Sequence, residues 1–511
     1  MPQKIAIVGS GFLGMTLALR LAKAGHNVTV FESGEEIGGL AAAWEIGDVV
    51  WDKHYHVTLA SDKFTRKLIE ELGLGDEYRW VETKTGFYTD GDLYSMSNTK
   101  EFLKFPPLDL ISKLRLGFTI FYASRVKDWK RLETILVEDW LTKLSGKKTF
   151  EKIWKPLLKA KLGEAYRTTS AAFIWATIQR MYQARNSGLK KEMFGYARGG
   201  YARVLARFAE VLAENDIDVR LNSPIESITK LESGKIKVAI RESRRRTDAK
   251  TSSVPQQTKY GVLQTATAIA PGFSSSFLSE PDLKPSSVVN FPLNRHNDSF
   301  DKVILTCASN VAAKILPQLS TTETRDLENI QYQGIVCASV LLKCSLSDFY
   351  ITNITDEMPF TGVIEMSALV DKKEFDRRAL VYLPKYVAPD DELFEKSDEE
   401  IERIFLKGLE QMYAHFSRKD VLEFKVSRVR QVFPLPVLNY LRDLPSKKTS
   451  IDGVYVVNSS HIVNGTLNVN ETVQLAEKFF EELKAEKRAV ARVPSATTGS
   501  DDKLPVGRVS A

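Results

Sequence analysis

Cysteine is scarce: the chain holds three, Cys307, Cys337 and Cys344, and no two stand in C-x-x-C spacing. An odd, scattered set excludes a disulfide framework, a cysteine-based zinc site and a dithiol redox centre, and it suits a reducing compartment. Histidine is also rare, with six in 511 residues, and no third ligand accompanies the pair His54 and His56, so no metal is expected. No run of 18 uncharged apolar residues occurs, which excludes a membrane-spanning helix. Neither sign of charge dominates: 71 Lys and Arg face 65 Asp and Glu, a net +6. That is too mild a balance for a nucleic-acid groove, and Arg244-Arg-Arg246 reads as a solvated loop. Met-Pro-Gln-Lys runs straight into an apolar segment, without the parts of a secretory signal, so a cytoplasmic location is expected. Repeats are absent, and a 43% hydrophobic, 10% aromatic composition describes a globular protein of one large or two interleaved domains.

Against those absences stands one ordered unit. Lys4-Ile-Ala-Ile-Val8 is an apolar β-branched run, Gly9-Ser-Gly-Phe-Leu-Gly14 comes directly after it, and helical spacing continues from Met15 to Ala24. Asn27-Val-Thr-Val-Phe31 is a second strand ending on Glu32, which completes a βαβ unit of α/β class. Gly9, Gly11 and Gly14 thus form G-x-G-x-x-G between a strand and a helix, where Phe12 and Leu13 bring backbone N–H groups towards a pyrophosphate. Glu32 stands where a carboxylate accepts ribose hydroxyls. The unit predicts a bound dinucleotide. Helical periodicity dominates from about 60 to 195, and Gly199 opens a return to α/β structure with a helix over 201–215 and strands over 218–221, 225–230 and 236–240. Further strands are expected over 301–306, 336–342, 362–366, 379–383 and 453–458, with helices over 397–416 and 470–487. The last is expected to start on Asn470 as N-cap, with Glu471 in an acidic first turn.

The residues after Glu32 indicate which dinucleotide: Ser33-Gly-Glu-Glu-Ile-Gly38-Gly39-Leu40 brings a second glycine pair. Here the sequence resembles the glutathione-reductase-type FAD fold, in the branch of amine oxidases, protoporphyrinogen oxidases and phytoene desaturases, more distantly UDP-galactopyranose mutases. Gly199-Gly200-Tyr201 and the segment around Ile225, which in that family meets the adenine, support the likeness. So does Asp452 to Asn458 together with Gly465-Thr-Leu467-Asn468-Val-Asn470-Glu471-Thr472-Val473, similar to the family's C-terminal flavin motif, in which a helix start faces the flavin. The resemblance implies FAD, held noncovalently because no cysteine lies near 453–473. It also implies a discontinuous Rossmann-like FAD-binding domain over 1–60, 195–240, 300–316 and 430–487, and an interleaved α+β substrate domain over 61–194 and 317–429. Composition makes 241–299 a flexible insertion and 488–511 a disordered tail.

His54-Tyr55-His56 reads either as a titratable pair beside the flavin, with both rings on one face of an extended segment and a pKa usable near neutrality, or as a structural turn. In sugar-nucleotide mutases of this fold a histidine-bearing segment in the corresponding place sits near the flavin. The stretch 103–126, with Ile111, Leu114, Phe118, Phe121, Tyr122 and Val126 on one helix face and Lys113, Arg115, Arg125 and Lys127 around it, reads as a peripheral membrane contact or as an ordinary packed helix. The resemblance implies an FAD-dependent oxidoreductase acting on a small or lipid-like molecule by hydride transfer. The competing readings are a sugar-nucleotide mutase without net redox and a noncatalytic flavin-binding protein.

Overall fold

The computed structural model describes residues 1–185, 193–241, 299–463 and 465–491. The expected insertion and tail therefore lie almost wholly outside the described residues. β1 (Lys4–Val8) alternates its side chains between two cores, Ile5 and Ile7 to one face and Ala6 and Val8 to the other. A strand buried on both faces belongs at the centre of a parallel sheet. There β1 pairs in parallel with β2 (Asn27–Phe31) and with Lys302–Leu305; Asp218–Arg220 extends the sheet beyond β2, and Val454–Val456 closes the other edge. Parallel neighbours need long crossovers, so the five strands come from widely spaced parts of the chain.

One face of this sheet is covered by α1 (Phe12–Lys23), Gly200–Glu214 and Val469–Ala491, through Met15, Leu19, Phe208, Leu212, Val473 and Phe479. Antiparallel strands Ile225–Lys230, Ile236–Ile240 and Ser299–Phe300, with helix Ser309–Ile315, cover the other. A second, seven-stranded sheet is built around Tyr332–Leu342, every residue of which is buried. Helix Asp398–Met412, closed by a Ser397/Glu400 capping box, packs on it. Beside both lies a helical bundle comprising Leu110–Arg125, Val137–Ser145, Lys155–Leu162 and Ala171–Arg185.

The region read as helical is mixed. Strands Tyr78–Glu82, Lys84–Thr89, Asp92–Ser95 and Met193–Ala197 pair with each other or with the second sheet. They are too short for their period of two to outweigh the helices around them. Helix Lys63–Glu71, also in that region, packs Leu68 and Ile69 into the core of the parallel sheet.

The start of the C-terminal helix also differs from expectation. Asn468 is the cap, its Oδ1 accepting from the Glu471 N–H at 3.0 Å. Asn470 lies inside the first turn and turns sideways, accepting from the N–H groups of Phe64 (2.9 Å) and Thr65 (3.3 Å). It thus caps helix Lys63–Glu71, some four hundred residues earlier in the chain. Removing that acceptor leaves two donors bare, one of them buried. Asn470→Ala should lower stability by about 1–2 kcal/mol, read as a lower urea midpoint at an unchanged denaturant slope.

Candidate functional site

The glycine loop closes on itself at the carboxyl ends of β1 and β2. A Cβ on Gly14 would sit 2.0 Å from the Gly9 carbonyl oxygen, so only glycine lets α1 pack this close to the strand. Gly9 adopts φ +106° and faces Thr306. Gly11 differs from both: it is the N-cap of α1, offers no side-chain cap, and nothing lies within 4 Å of where its Cβ would be. The open space is therefore where a phosphate can approach the first-turn N–H groups of Phe12 and Leu13, whose side chains are buried behind. Glu32 lies alongside, accepting from the Ser10 N–H (2.9 Å), Ser10 Oγ (2.8 Å) and the Gly34 N–H (2.8 Å).

A largely apolar cleft opens here, lined by Gly9, Glu32, Ser33, Ile225, Cys307 and Arg241 among others. It brings together four of the residues expected at a dinucleotide. The second glycine pair meets the first loop. Gly38, at φ +111°, donates its N–H to the Ser10 carbonyl at 2.9 Å and forms a parallel bridge with Gly11, and a Cβ on Gly39 would lie 3.5 Å from the Gly11 Cα. Leu40 sits in the adjoining short turn Gly39–Ala41.

At the far end a second cleft is lined by Phe173, Ala176, Phe433, Tyr440, Gly465 and Leu467 among others. Gly465 to Leu467, just before the helix start, form part of its wall. Thr472 Oγ1 donates to the Asn468 carbonyl, and burial pushes the Glu471 carboxyl up from its usual range. Val473 is buried in the core of the parallel sheet. Asn458 is buried. Its Nδ2 donates to the Cys307 carbonyl (2.8 Å) and Ser309 Oγ (3.1 Å), and its Oδ1 accepts from Ser460 (2.9 Å), so it staples two strand ends together.

His54 and His56 lie in a bend between strands Val49–Asp52 and Thr58–Leu59, and each has its own partner. His54 Nε2 is 3.3 Å from Ser427 Oγ, and burial pushes its pKa down to about 3, so the expectation of a value usable near neutrality is corrected for this ring. A buried imidazole without a carboxylate stays neutral. His56 Nδ1 lies 3.6 Å from Asp52 Oδ2, and that nitrogen is buried without a hydrogen bond. The extended segment that would have put both rings on one face is absent.

Three further features here escaped the sequence reading. Asp52 is 2% exposed and takes the Tyr201 N–H at 2.7 Å. Tyr55 and Tyr386 share a hydrogen bond at 2.9 Å. Lys161 places Nζ 3.8 Å from the centroid of Tyr386 and 4.8 Å from that of Phe433, and burial lowers its ammonium to about 7. Only Asp52, next to the histidine segment, carried a local signal.

His461 is a second buried imidazole. Its Nδ1 accepts from the Asn458 N–H, which assigns the proton to Nε2 facing the Pro445 carbonyl, and burial pushes its pKa down to about 4. Both rings titrate near 6.5 when exposed, so the unfolded chain binds their protons first as pH falls. The stability they contribute is full above about pH 6.5 and is lost between there and about pH 4 for His461 and pH 3 for His54. Urea midpoints should fall across that window, and His461→Gln, less stable at pH 7, should show a shallower fall.

The residue stretches 14–258 and 285–469 match the family model described as flavin containing amine oxidoreductase. Over 82 residues the chain is 34% identical to 15-cis-phytoene desaturase of Glycine max, covering 16% of this chain and only 14% of the desaturase. Two solved structures share its fold at 16% identity and a TM-score of 0.67, each match covering 95% of this chain and 99% of the other: an assigned protoporphyrinogen oxidase from Exiguobacterium sp. 255-15 and a triple mutant of putrescine oxidase. With the family model covering most of its length, the chain belongs to the flavin containing amine oxidoreductases, a family that works with a flavin cofactor.

Proposed function

We propose that this protein is an FAD-dependent oxidoreductase that holds FAD noncovalently and oxidises or desaturates a small or lipid-like organic molecule. The observation that carries the reading is the cradle at the ends of β1 and β2, where the open space at Gly11 and the uncapped first turn of α1 stand next to Gly9 and Glu32, which line the cleft. Phe12 and Leu13 would hold the pyrophosphate by their N–H groups, Glu32 and Ser33 the ribose, and Ile225 the adenine. Gly38, Gly39 and Leu40 would bound the middle of the cofactor, and the helix start at Asn468 to Thr472 its flavin end. Cys307 lies at the Glu32 end and burial pushes its thiol up to about 12, which supports noncovalent attachment. The bound flavin would supply the acceptor for an electron pair.

In this reading the discontinuous segments 1–60, 195–240, 300–316 and 430–487, joined by helix Lys63–Glu71, hold FAD. The rest of 61–194 and 317–429 shapes the substrate side. Free cysteines support a reducing, cytoplasmic setting. The residues of the chain position and move protons. His56, beside the buried Asp52 carboxylate, can take or hold a proton at Nδ1, and Asp52 stabilises the charged ring. Neutral His54 acts as a hydrogen-bonding group towards Ser427.

Purified protein should carry one acid-releasable FAD, and Glu32→Ala should weaken its retention tenfold or more, on the order of one lost charge-assisted contact. Protein that shows no flavin absorbance after incubation with excess FAD would sink the reading.

Anaerobic mixing with candidate lipids, amines and nucleotide sugars then reports flavin reduction. His56→Gln should keep FAD but slow that reduction by about 10²-fold, whereas His54→Gln changes it only a few fold. Equal rates in wild type and His56→Gln would return the segment to a structural turn. Turnover of a nucleotide sugar without consumption of an electron acceptor would favour the mutase, and no turnover of any candidate a binding role.

A further inference from the structure

Helix Leu110–Arg125 is built inside out. Its inward face is small or polar: Ser112, Thr119 and Ala123 are buried beside Leu116, with Thr119 Oγ1 2.8 Å from Ser145 Oγ and the buried Lys113 Nζ donating to the Leu103 carbonyl at 2.8 Å. Its outward face carries Leu110 (65% exposed), Ile111 (71%), Leu114 (62%), Phe118 (54%), Phe121 (51%) and Tyr122 (43%), with Leu103 (52%) continuing the patch. Seven of the thirteen exposed large apolar side chains among the described residues therefore lie within twenty positions of one another. Scattered apolar exposure is ordinary, but a contiguous strip of this size on a helix held by polar contacts marks a surface with a partner.

The rim of the strip says which partner. Between residues 99 and 133 the chain has eight Lys and Arg against four Asp and Glu. Lys104, Arg125, Lys127, Lys130 and Arg131 are exposed around the strip, and Arg125 lies 4.9 Å over the Phe121 ring. A second copy of the chain docked symmetrically on this face would bring like charges together. A bilayer with anionic headgroups offers apolar depth under the strip and negative charge at the rim. Among the described residues no helix is long and apolar enough to cross a membrane, so the contact is one of lying on the surface.

We infer that helix Leu110–Arg125, with Leu103, is a docking face for an anionic lipid surface. The inference deepens the lipid-like half of the proposed substrate class and rests on that reading for its purpose. The docking helix packs on Ala171–Arg185, where Gln179 Nε2 donates to the Ala123 carbonyl at 2.8 Å. That second helix presents Ala172, Phe173 and Ala176 to the cleft walled in part by Gly465 to Leu467. One helix therefore separates the lipid-facing strip from the cleft.

The test is pelleting of the full chain with vesicles, without substrate, so that a failed oxidation assay and a failed docking result are told apart. Wild type should pellet with phosphatidylcholine vesicles containing about one quarter phosphatidylglycerol, less with pure phosphatidylcholine, and less again as salt rises. Phe118→Asp with Phe121→Asp should lower the bound-to-free ratio on the order of a hundredfold at unchanged melting temperature and flavin content. Lys127→Glu with Lys130→Glu should reduce only the preference for the anionic vesicles. Wild type left in the supernatant, an aspartate variant that pellets like wild type, or a soluble dimer that the aspartate variant dissolves would each overturn the proposal.

Discussion

The closeness of two glycine loops is the constraint on which the rest of this architecture depends. α1 rests on β1 with no room for a Cβ at Gly14, and the Gly38–Gly39 turn lies against Gly11. Backbone meeting backbone here fixes the direction of α1 relative to the sheet and leaves the N-terminus of α1 without a side-chain cap, open at Gly11. The contrast with helix Gly200–Glu214 is instructive. That helix also starts on glycines without a cap of its own, yet Asp52 fills its first turn from a neighbouring hairpin through the Tyr201 N–H. A helix start closed by a carboxylate is part of the scaffold, whereas the one beside Glu32 is left open.

Asp52 also joins the two sheets. Its Oδ1 holds Tyr201 on the parallel-sheet side, its backbone carbonyl accepts from the Tyr382 hydroxyl in the second sheet, and its Oδ2 faces His56. A Cβ on Gly200 would stand 2.9 Å from Asp52 Oδ1, so the helix opens on glycine because the carboxylate is there. Asn470 does comparable work at the other helix entrance. Each substitutes a distant side chain for a local cap, and each makes the folding of one chain segment depend on another far along the sequence.

That pattern explains what could be read from the sequence. The βαβ unit, its three glycines and Glu32 were legible because strand period, turn and helix period are all local and agree over thirty residues. The central strands 302–305 and 454–456 were legible as apolar runs, and so was 332–342 from residue 336 onward. What was hidden is long-range: His54 meets Ser427, Lys161 meets Tyr386, and Asn470 caps a helix near residue 64. Amphipathicity left one matter open: the apolar stripe at 110–125 was a correct helix signal, but its direction, outward, is set by polar partners on other helices.

The electrostatics of the space between the sheets are in turn set by burial. Desolvation pushes His54 down to about 3 and Lys161 down to about 7, raises Tyr55 to about 12, and holds Tyr382 and Tyr386 well above the ordinary phenol range. Each shift favours the neutral form, as a low dielectric demands. The negative charge of Asp52 adds to the upward shift of Tyr78, Tyr201, Tyr350 and Tyr382, which burial begins. One carboxylate therefore acts on four phenols that burial already holds neutral. A buried carboxylate is costly unless it is hydrogen-bonded, and this one is held at the positive end of a helix. Its remaining oxygen faces His56, whose Nδ1 has no hydrogen bond to satisfy it. The residue that joins the two sheets is consequently also the one that faces His56, which is why the histidine segment is tied to the fold as firmly as to the chemistry proposed for it.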